Sequence, residues 1–171
     1  IVAGNTVVYK PASQSPVVGS MLVRIFDEAR LPAGVLNFLP GPGGEIGDAL
    51  VTHPDVALIA FTGSRDVGLR INELAARAAE GSRGVKNVIA EMGGKNGIIV
   101  DADADLDEAI PQILHSAFGY QGQKCSACSR LIVLEENYER LVTRLRAAAE
   151  SLRLGPTEDP ASFMGAVIDA S

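Results

Sequence analysis

Residues 57–64 read ALIAFTGS, and this stretch decides the fold class. Five apolar residues in a row, without alternation, are typical of a strand buried on both faces of a parallel sheet. Thr62 and Gly63 then form a turn, and Ser64 predicts the start of a helix that ends near Gly81. The stretch therefore predicts one strand–turn–helix unit of an α/β fold.

The same alternation runs along the whole chain. Pro16 at the first helical position, with Ser15 as its N-cap, predicts the start of the first helix. Alternating strands and helices imply an α/β fold with a parallel sheet covered on both faces. The predicted domain break is Gly93-Gly94, because flexible backbone there can join two packed units. The other predicted strands are residues 6–10, 35–39, 85–90, 97–100 and 131–134, and the other helices about 45–52, 106–119 and 136–154.

The composition argues against several classes of protein. With 171 residues, 47% of them hydrophobic, the chain can bury a sizeable core. A net charge of −6 argues against a nucleic-acid surface, and no apolar run approaches the ~20 residues of a membrane span. Two cysteines three residues apart do not form a secreted disulfide framework, which favours a reducing, cytoplasmic compartment. Because the chain begins at Ile1 without Met or a signal segment, we expect a fragment.

Polar residues and glycines follow the predicted strands, where open α/β sheets bind ligands. Lys10 follows the first strand, and its ammonium suits ribose hydroxyls or phosphate. Thr62, Gly63 and Ser64 lead into a helix start, which suits a pyrophosphate. Gly63 and Gly68 lie five residues apart, so the G-x-G-x-x-G fingerprint does not occur here. A plain turn with a helix cap is the alternative interpretation.

A thiol and a carboxylate supply the groups for covalent oxidation of an aldehyde. Cys125 lies in the small, polar segment GQKCSACSR at residues 122–130, and Glu91 ends an apolar strand. A thiolate attacks the carbonyl, hydride leaves for a nicotinamide, and a carboxylate deprotonates the thiol or the hydrolytic water. The backbone N–H of Cys125 is a candidate oxyanion donor, and partial burial would make Glu91 a better base.

Both residues also have alternative interpretations. Cys125 is alternatively a small buried apolar residue, or half of a redox or metal pair with Cys128. A single Cys-x-x-Cys without a second pair or nearby histidines is weak support for zinc. Glu91 is alternatively a helix cap or an ion-pair partner of Lys95.

No metal site is expected. The acidic run at residues 101–108 resembles a calcium loop, but the chain has Leu106 and Gln112 where such a loop needs Gly and Glu. Carboxylates at a helix N-terminus explain the run instead. His53 and His115 fall in no recognisable triad and are interpreted as structural or solvated.

Four motifs occur in the order found in the aldehyde dehydrogenase superfamily, and the spacing from Glu91 to Cys125 also resembles it. The chain is similar to this superfamily over essentially its whole length. The resemblance implies a partial Rossmann-type nucleotide-binding domain at residues 1–93, followed by the start of the α/β catalytic domain at 94–171. The motifs are GNTVVYKPA at residues 4–12, FTGS at 61–64, EMGGK at 91–95 and GQKC at 122–125.

The resemblance also implies roles by position. Cys125 resembles the nucleophile, Glu91 the general base, and Gly93 with Gly94 the hinge between domains. The family's upstream oxyanion Asn and downstream ribose-binding Glu are not found in this sequence, so we expect the 171-residue chain alone to be inactive. The implied cofactor-binding residues are Lys10, Ser13, Thr62, Gly63, Ser64 and Gly68.

A finer resemblance is to the branch that oxidises L-glutamate γ-semialdehyde to L-glutamate, and it rests on residues 90–96, 118–130 and 164–169. It implies that Lys124 and Ser126 contact the substrate's α-carboxylate. It also implies NAD as cofactor, a homo-oligomeric parent and, in some members, fusion to proline dehydrogenase. Because Ser13 stands where the superfamily often has a Glu that repels a 2′-phosphate, NADP is not excluded as the cofactor.

Two alternatives remain for the function. One is a dehydrogenase for another aldehyde, including a CoA-acylating enzyme. The other is a truncated chain without catalytic activity that acts as a binding module.

Overall fold

The computed structural model describes residues 1–77, 80–82 and 84–170, which form two compact units. Unit 1 consists of residues 1–62 and 66–90, and unit 2 of residues 63–65 and 91–171. The chain passes from unit 1 to unit 2 between residues 90 and 91, close to the predicted break.

Strands and helices alternate along the chain except at 87–91 and 96–100, where two strands follow each other, and the α/β class is confirmed. The third helix ends six residues before Gly81, the predicted end; residues 78 and 79 lie outside the described residues. The elements are β1 (Val7–Tyr9), α1 (Pro16–Glu28), β2 (Leu36–Phe38), α2 (Gly43–Thr52), β3 (Leu58–Thr62), α3 (Arg65–Ala75), β4 (Asn87–Glu91), β5 (Asn96–Val100), α4 (Leu106–Phe118), β6 (Cys128–Val133) and α5 (Glu135–Glu150).

Unit 1 contains the parallel pair β1–β2 and, apart from the last residue of β4, the pair β3–β4. Tyr9 ends β1 beside Phe38, and their rings lie 6.0 Å apart. This pairing leaves Lys10 at the carboxyl edge of the pair. Pro16 opens α1 as predicted; Ser15 occupies the N-cap position, but its side chain makes no capping hydrogen bond.

A small apolar cluster with residues from α2 and α3 forms the core of unit 1, and residues of β3 and β4 pack against it. Arg70 of α3 also binds Asp48 of α2, and this hydrogen bond lowers the pKa of the Asp48 carboxyl. Both side chains are more than half exposed, so the pair contributes little to stability. The buried members of the cluster are Val51, Ile71 and Ala75.

Unit 2 is built on the parallel pair β5–β6, with α4 and α5 packed against its apolar side chains. Asp105 caps α4 by accepting a hydrogen bond from Asp107 N at 2.8 Å, as the acidic run indicated. Buried Asn137 of α5 donates to Asp101 O at 2.7 Å, which fixes the loop after β5. The core consists of Val100, Leu106, Ile110, Ile113, Leu114 and Leu141.

The prediction of one sheet covered on both faces is wrong for this chain. Among the described residues, the strands form three separate pairs, and one face of each is open. In unit 2, Ile99 and Ile132 lie side by side in register with 73% and 56% of their surface exposed. The reason is that side chains alternate across a strand, and here α4 and α5 cover only one of the two faces.

Within the described part of the chain, no helix combines the length and apolar character needed to cross a membrane.

Candidate active site

Cys125 lies in a short turn that leads into β6. The turn is closed by a hydrogen bond from Ala127 N to Lys124 O at 3.2 Å. The Cys125 thiol is free and exposed, so a substrate carbonyl can reach it. β6 begins at Cys128, three residues before the predicted strand start, so Cys125 lies three residues before the strand.

The backbone before the thiol is unusual. Tyr120, Gln121 and Gly122 form consecutive left-handed residues, with φ angles of 54°, 58° and 69°. Only glycine adopts this conformation without a steric cost, so the first two residues hold strain. A Cβ at position 122 would also lie 2.9 Å from Ala117 O. This bend turns the chain sharply from the end of α4 toward Cys125.

Asn96, the first residue of β5, holds the turn from one side. Its Nδ2 donates to Cys125 O at 2.6 Å and to Ala127 O at 3.2 Å. Gly94 lies against the same carbonyl: a Cβ there would be 3.0 Å from Cys125 O. The strand that follows Glu91 therefore contacts the backbone of the proposed nucleophile directly.

The segment near residue 168 holds the same loop from another direction. Ile168 N donates to the side-chain Oε1 of Gln123 at 2.9 Å, across 45 residues of sequence. Gln123 N in turn donates to Tyr120 O at 3.0 Å. The loop is thus fixed by two contacts distant in sequence, although it is exposed.

Glu91 is the last residue of β4 and belongs to the same unit as Cys125. Its backbone carbonyl accepts a hydrogen bond from Gly63 N at 3.1 Å. Glu91, Cys125 and the Gly63-Ser64 turn, which was predicted to bind the cofactor, all belong to unit 2. The partial burial predicted for Glu91 is wrong here, since its side chain is exposed.

The residues predicted to bind the substrate flank Cys125. Lys124 and Ser126 are both exposed. The Lys124 ammonium lies 5.4 Å from the centroid of the Tyr120 ring, a cation–π contact that holds this positive charge beside the turn.

Three of the other cofactor residues lie in unit 1, at or near strand ends. Half-buried Lys10 donates from Nζ to Pro11 O at 2.6 Å. A Cβ on Gly43, the first residue of α2, would lie 4.0 Å from that nitrogen. Ser13 is exposed in the following loop, and Thr62 is exposed at the end of β3.

The last cofactor residue, Gly68, is buried inside α3. Its carbonyl accepts a hydrogen bond from Asn72 Nδ2 at 2.9 Å. β3 leads through exposed Gly63 and Ser64 into α3, and a helix N-terminus favours a phosphate anion.

The two cysteines occupy different environments, although they are three residues apart. Cys128 is buried, its thiol donates to Arg130 O at 3.3 Å, and it faces an apolar groove of about 560 Å³ between α4, β6 and α5. Cys125 does not line this groove. Both thiols are free, so they do not form a disulfide with each other.

The residues that hold the loop, above all Asn96 and Gln123, were not predicted from the sequence. The available signal was weak: Asn96 is a polar residue that opens an otherwise apolar strand, and Gln123 lies within the Cys125 motif. Neither pattern predicts which distant backbone group the side-chain carboxamide of Asn96 or Gln123 contacts.

A substitution tests the contact between the two segments. Gly94→Ala should lower the free energy of unfolding by about 1–3 kcal/mol, because its methyl group would press on Cys125 O. Gly93→Ala is the matched control, since a Cβ there meets nothing within 4 Å. The measurement is urea unfolding of both variants, and equal midpoints would contradict the contact.

Comparison with known proteins identifies the class. The whole chain, residues 1–171, matches the profile described as "Aldehyde dehydrogenase family". The chain therefore belongs to the aldehyde dehydrogenase family, as its motifs implied.

Relatives of this chain include 1-pyrroline-5-carboxylate dehydrogenases. The one from Geobacillus sp. (strain WCH70) is 53% identical over 171 residues, which cover 100% of this chain and 33% of that protein. The one from Bacillus subtilis (strain 168) is 52% identical over 168 residues, covering 98% and 33%. The chain spans about a third of the length of these relatives.

Solved structures give the same family fold. Proline utilization A (PutA) from Bdellovibrio bacteriovorus, inactivated by N-propargylglycine, matches with a TM-score of 0.96 and 54% identity, over 99% of this chain and 18% of that chain. The 1-pyrroline-5-carboxylate dehydrogenase from Thermus with bound NAD matches with a TM-score of 0.94 and 48% identity, over 98% and 32%. The chain has the aldehyde dehydrogenase fold.

Proposed function

We propose that this chain is the nucleophile-bearing part of an NAD(P)-dependent dehydrogenase that oxidises L-glutamate γ-semialdehyde to L-glutamate. The observation that carries the proposal is the exposed Cys125 turn, held by Asn96 at the start of β5, the next strand after the one that Glu91 ends. The relatives named 1-pyrroline-5-carboxylate dehydrogenase support the choice of substrate.

The chemistry follows from the two side chains. The Cys125 thiolate attacks the aldehyde carbon, forming a C–S bond while the carbonyl oxygen becomes an oxyanion beside the Cys125 backbone N–H. A bound nicotinamide would supply the acceptor for the hydride that leaves this carbon, and a thioester on Cys125 would result. Glu91 removes a proton from water, which attacks the thioester and releases glutamate and the free thiol.

Charge and exposure near the thiol suit this substrate. Lys124 and Ser126 flank Cys125 and present an ammonium and a hydroxyl, groups that bind an α-carboxylate. Because the cation–π contact with Tyr120 places the Lys124 charge beside the turn, a substrate with a carboxylate is favoured over a simple aliphatic aldehyde.

The proposal extends to the cofactor contacts. We propose Lys10 and Ser13 as ribose contacts, and Thr62, Gly63, Ser64 and Gly68 as the turn and helix that hold the pyrophosphate. Residues 1–93 then form part of a dinucleotide-binding domain and 94–171 part of a catalytic domain. Because Ser13 adds no negative charge, the preference for NAD over NADP rests on the branch resemblance and on the NAD-bound Thermus relative.

The proposal also covers the compartment, the oligomeric state and the fusion partner of the whole protein. We infer a cytoplasmic homo-oligomer that acts on a small-molecule aldehyde. The likeness to PutA proteins extends the proposal to a parent fused to proline dehydrogenase.

The test is substrate comparison with the full-length gene product that contains residues 1–171. We expect NAD reduction with glutamate semialdehyde. Its kcat/KM should be at least about a hundredfold above that for unbranched aldehydes, because an aldehyde without a carboxylate leaves the Lys124 ammonium unpaired. Equal kcat/KM values would point to another aldehyde, and a strict need for coenzyme A would point to an acylating enzyme. The 171-residue chain alone should show no turnover.

A further inference from the structure

The contacts of Asn96 form an unusual connection in unit 2. One carboxamide nitrogen donates to two backbone carbonyls, Cys125 O at 2.6 Å and Ala127 O at 3.2 Å. These carbonyls lie 29 and 31 residues further along the chain. Cys125 O belongs to the peptide group before Ser126, and Ala127 O to the peptide group after Ala127. The two hydrogen bonds therefore orient two of the three peptide groups between Cys125 and Cys128.

The chemistry of this position requires a carboxamide. An NH₂ group has two donors, one for each carbonyl, whereas a carboxylate has none and would repel both oxygens. Because a peptide C=O and the following N–H point in opposite directions, fixing Cys125 O toward Asn96 aims the Ser126 N–H away from it. The side chain thereby sets the direction of the backbone that carries the thiol.

The neighbouring residue leaves room for this arrangement. A Cβ on Gly94 would lie 3.2 and 3.3 Å from the Asn96 carboxamide, as well as 3.0 Å from Cys125 O. Gly94 thus permits the close approach of the amide and the turn. Glu91, Gly94 and Asn96 occupy one short segment, so the segment that supplies the carboxylate also positions the thiol.

We propose that Asn96 is a positioning residue that holds the Cys125 turn in its reactive placement. The proposal rests on the proposed function, because its kinetic consequence requires that Cys125 attacks the aldehyde. Asn96 touches the backbone of the turn, so its loss should disturb the reaction geometry and leave substrate affinity largely intact.

The experiment compares Asn96→Ala and Asn96→Asp in the full-length gene product with Asn37→Ala. Asn37 is a matched control, since its Nδ2 also donates to two backbone carbonyls, Gly34 O at 2.9 Å and Val7 O at 3.3 Å, away from the Cys125 turn. Circular dichroism identifies the folded variants. Asn96→Asp keeps the shape of the side chain but removes its donors. The kinetic and exchange measurements are made on this variant if Asn96→Ala does not fold.

Two readouts are needed. We expect kcat to fall about tenfold to a hundredfold in both Asn96 variants, with KM within about twofold of wild type. Amide hydrogen exchange in the peptide covering residues 120–128 should become about tenfold faster, while Asn37→Ala changes neither quantity.

The outcomes separate this proposal from the proposed function. Unchanged exchange in residues 120–128, or unchanged kcat despite faster exchange, would overturn the positioning role and leave the dehydrogenase assignment standing. A wild-type protein that oxidises no aldehyde would overturn the assignment and, with it, the kinetic role of Asn96. A KM effect without a kcat effect would show that Asn96 serves binding, against the proposal.

Discussion

Cys125→Ala should lower kcat/KM for aldehyde oxidation by the full-length gene product by about 10⁴-fold or more. The reason is that alanine has no nucleophile, and no other described side chain in the turn from Lys124 to Ala127 carries a thiol. The measurement is NAD reduction with glutamate semialdehyde under saturating cofactor. Because Cys125 is exposed, the substitution should leave the free energy of unfolding nearly unchanged.

The matched control is Cys128→Ala, three residues further along. Cys128 is buried and faces the apolar groove of unit 2, so its loss should alter packing and leave activity within about threefold of wild type. An active Cys125→Ala variant would remove the proposed nucleophile. Equal loss in both variants would favour the redox-pair interpretation of the two cysteines.

Glu91→Gln should lower the steady-state rate by about 10²–10⁴-fold, the usual contribution of a general base. Glutamine keeps the length and polarity of the side chain but cannot accept a proton at neutral pH. The backbone hydrogen bond between Glu91 O and Gly63 N is unaffected, so the end of β4 should stay in place. Rapid mixing with excess substrate gives the measurement.

The first turnover shows which step needs the base. If Glu91 activates the hydrolytic water, about one equivalent of NADH per site should form quickly, followed by slow turnover. If it activates the thiol, the burst itself should slow. Glu136→Gln, an exposed carboxylate in the first turn of α5, is the control and should behave as wild type. A fully active Glu91→Gln variant would contradict the assignment of the base.

Local patterns predicted much of the fold. Pro16 fixes the start of α1, and the apolar run before Thr62 forms β3, because proline and hydrophobic periodicity act over a few residues. The start of β6 was predicted three residues late. Cys128 belongs to the strand because it pairs with Asn96 of β5. Where a strand begins without an apolar run, its first residue depends on pairing with a residue distant in sequence.

In the site too, residue types could be predicted from the sequence, whereas features that depend on distant contacts could not. The residue types at positions 91 and 125 indicated a base and a nucleophile, since such chemistry needs those side chains. The left-handed bend at Tyr120 and Gln121 could not be predicted, because neither residue favours positive φ and only the surrounding packing imposes it. The exposure of Glu91 was also missed, since burial depends on what covers a strand end rather than on the strand's own sequence.

The most direct test of the account is to trap the covalent intermediate. Full-length Glu91→Gln protein, mixed with glutamate semialdehyde and NAD and quenched in acid, is digested and analysed by mass spectrometry. With the quench placed at the end of the first turnover, we expect a glutamyl thioester on the peptide that contains Cys125, in an amount equal to the NADH formed up to that time. NADH formation without an acyl group on Cys125, or with the group on Cys128 alone, would contradict it.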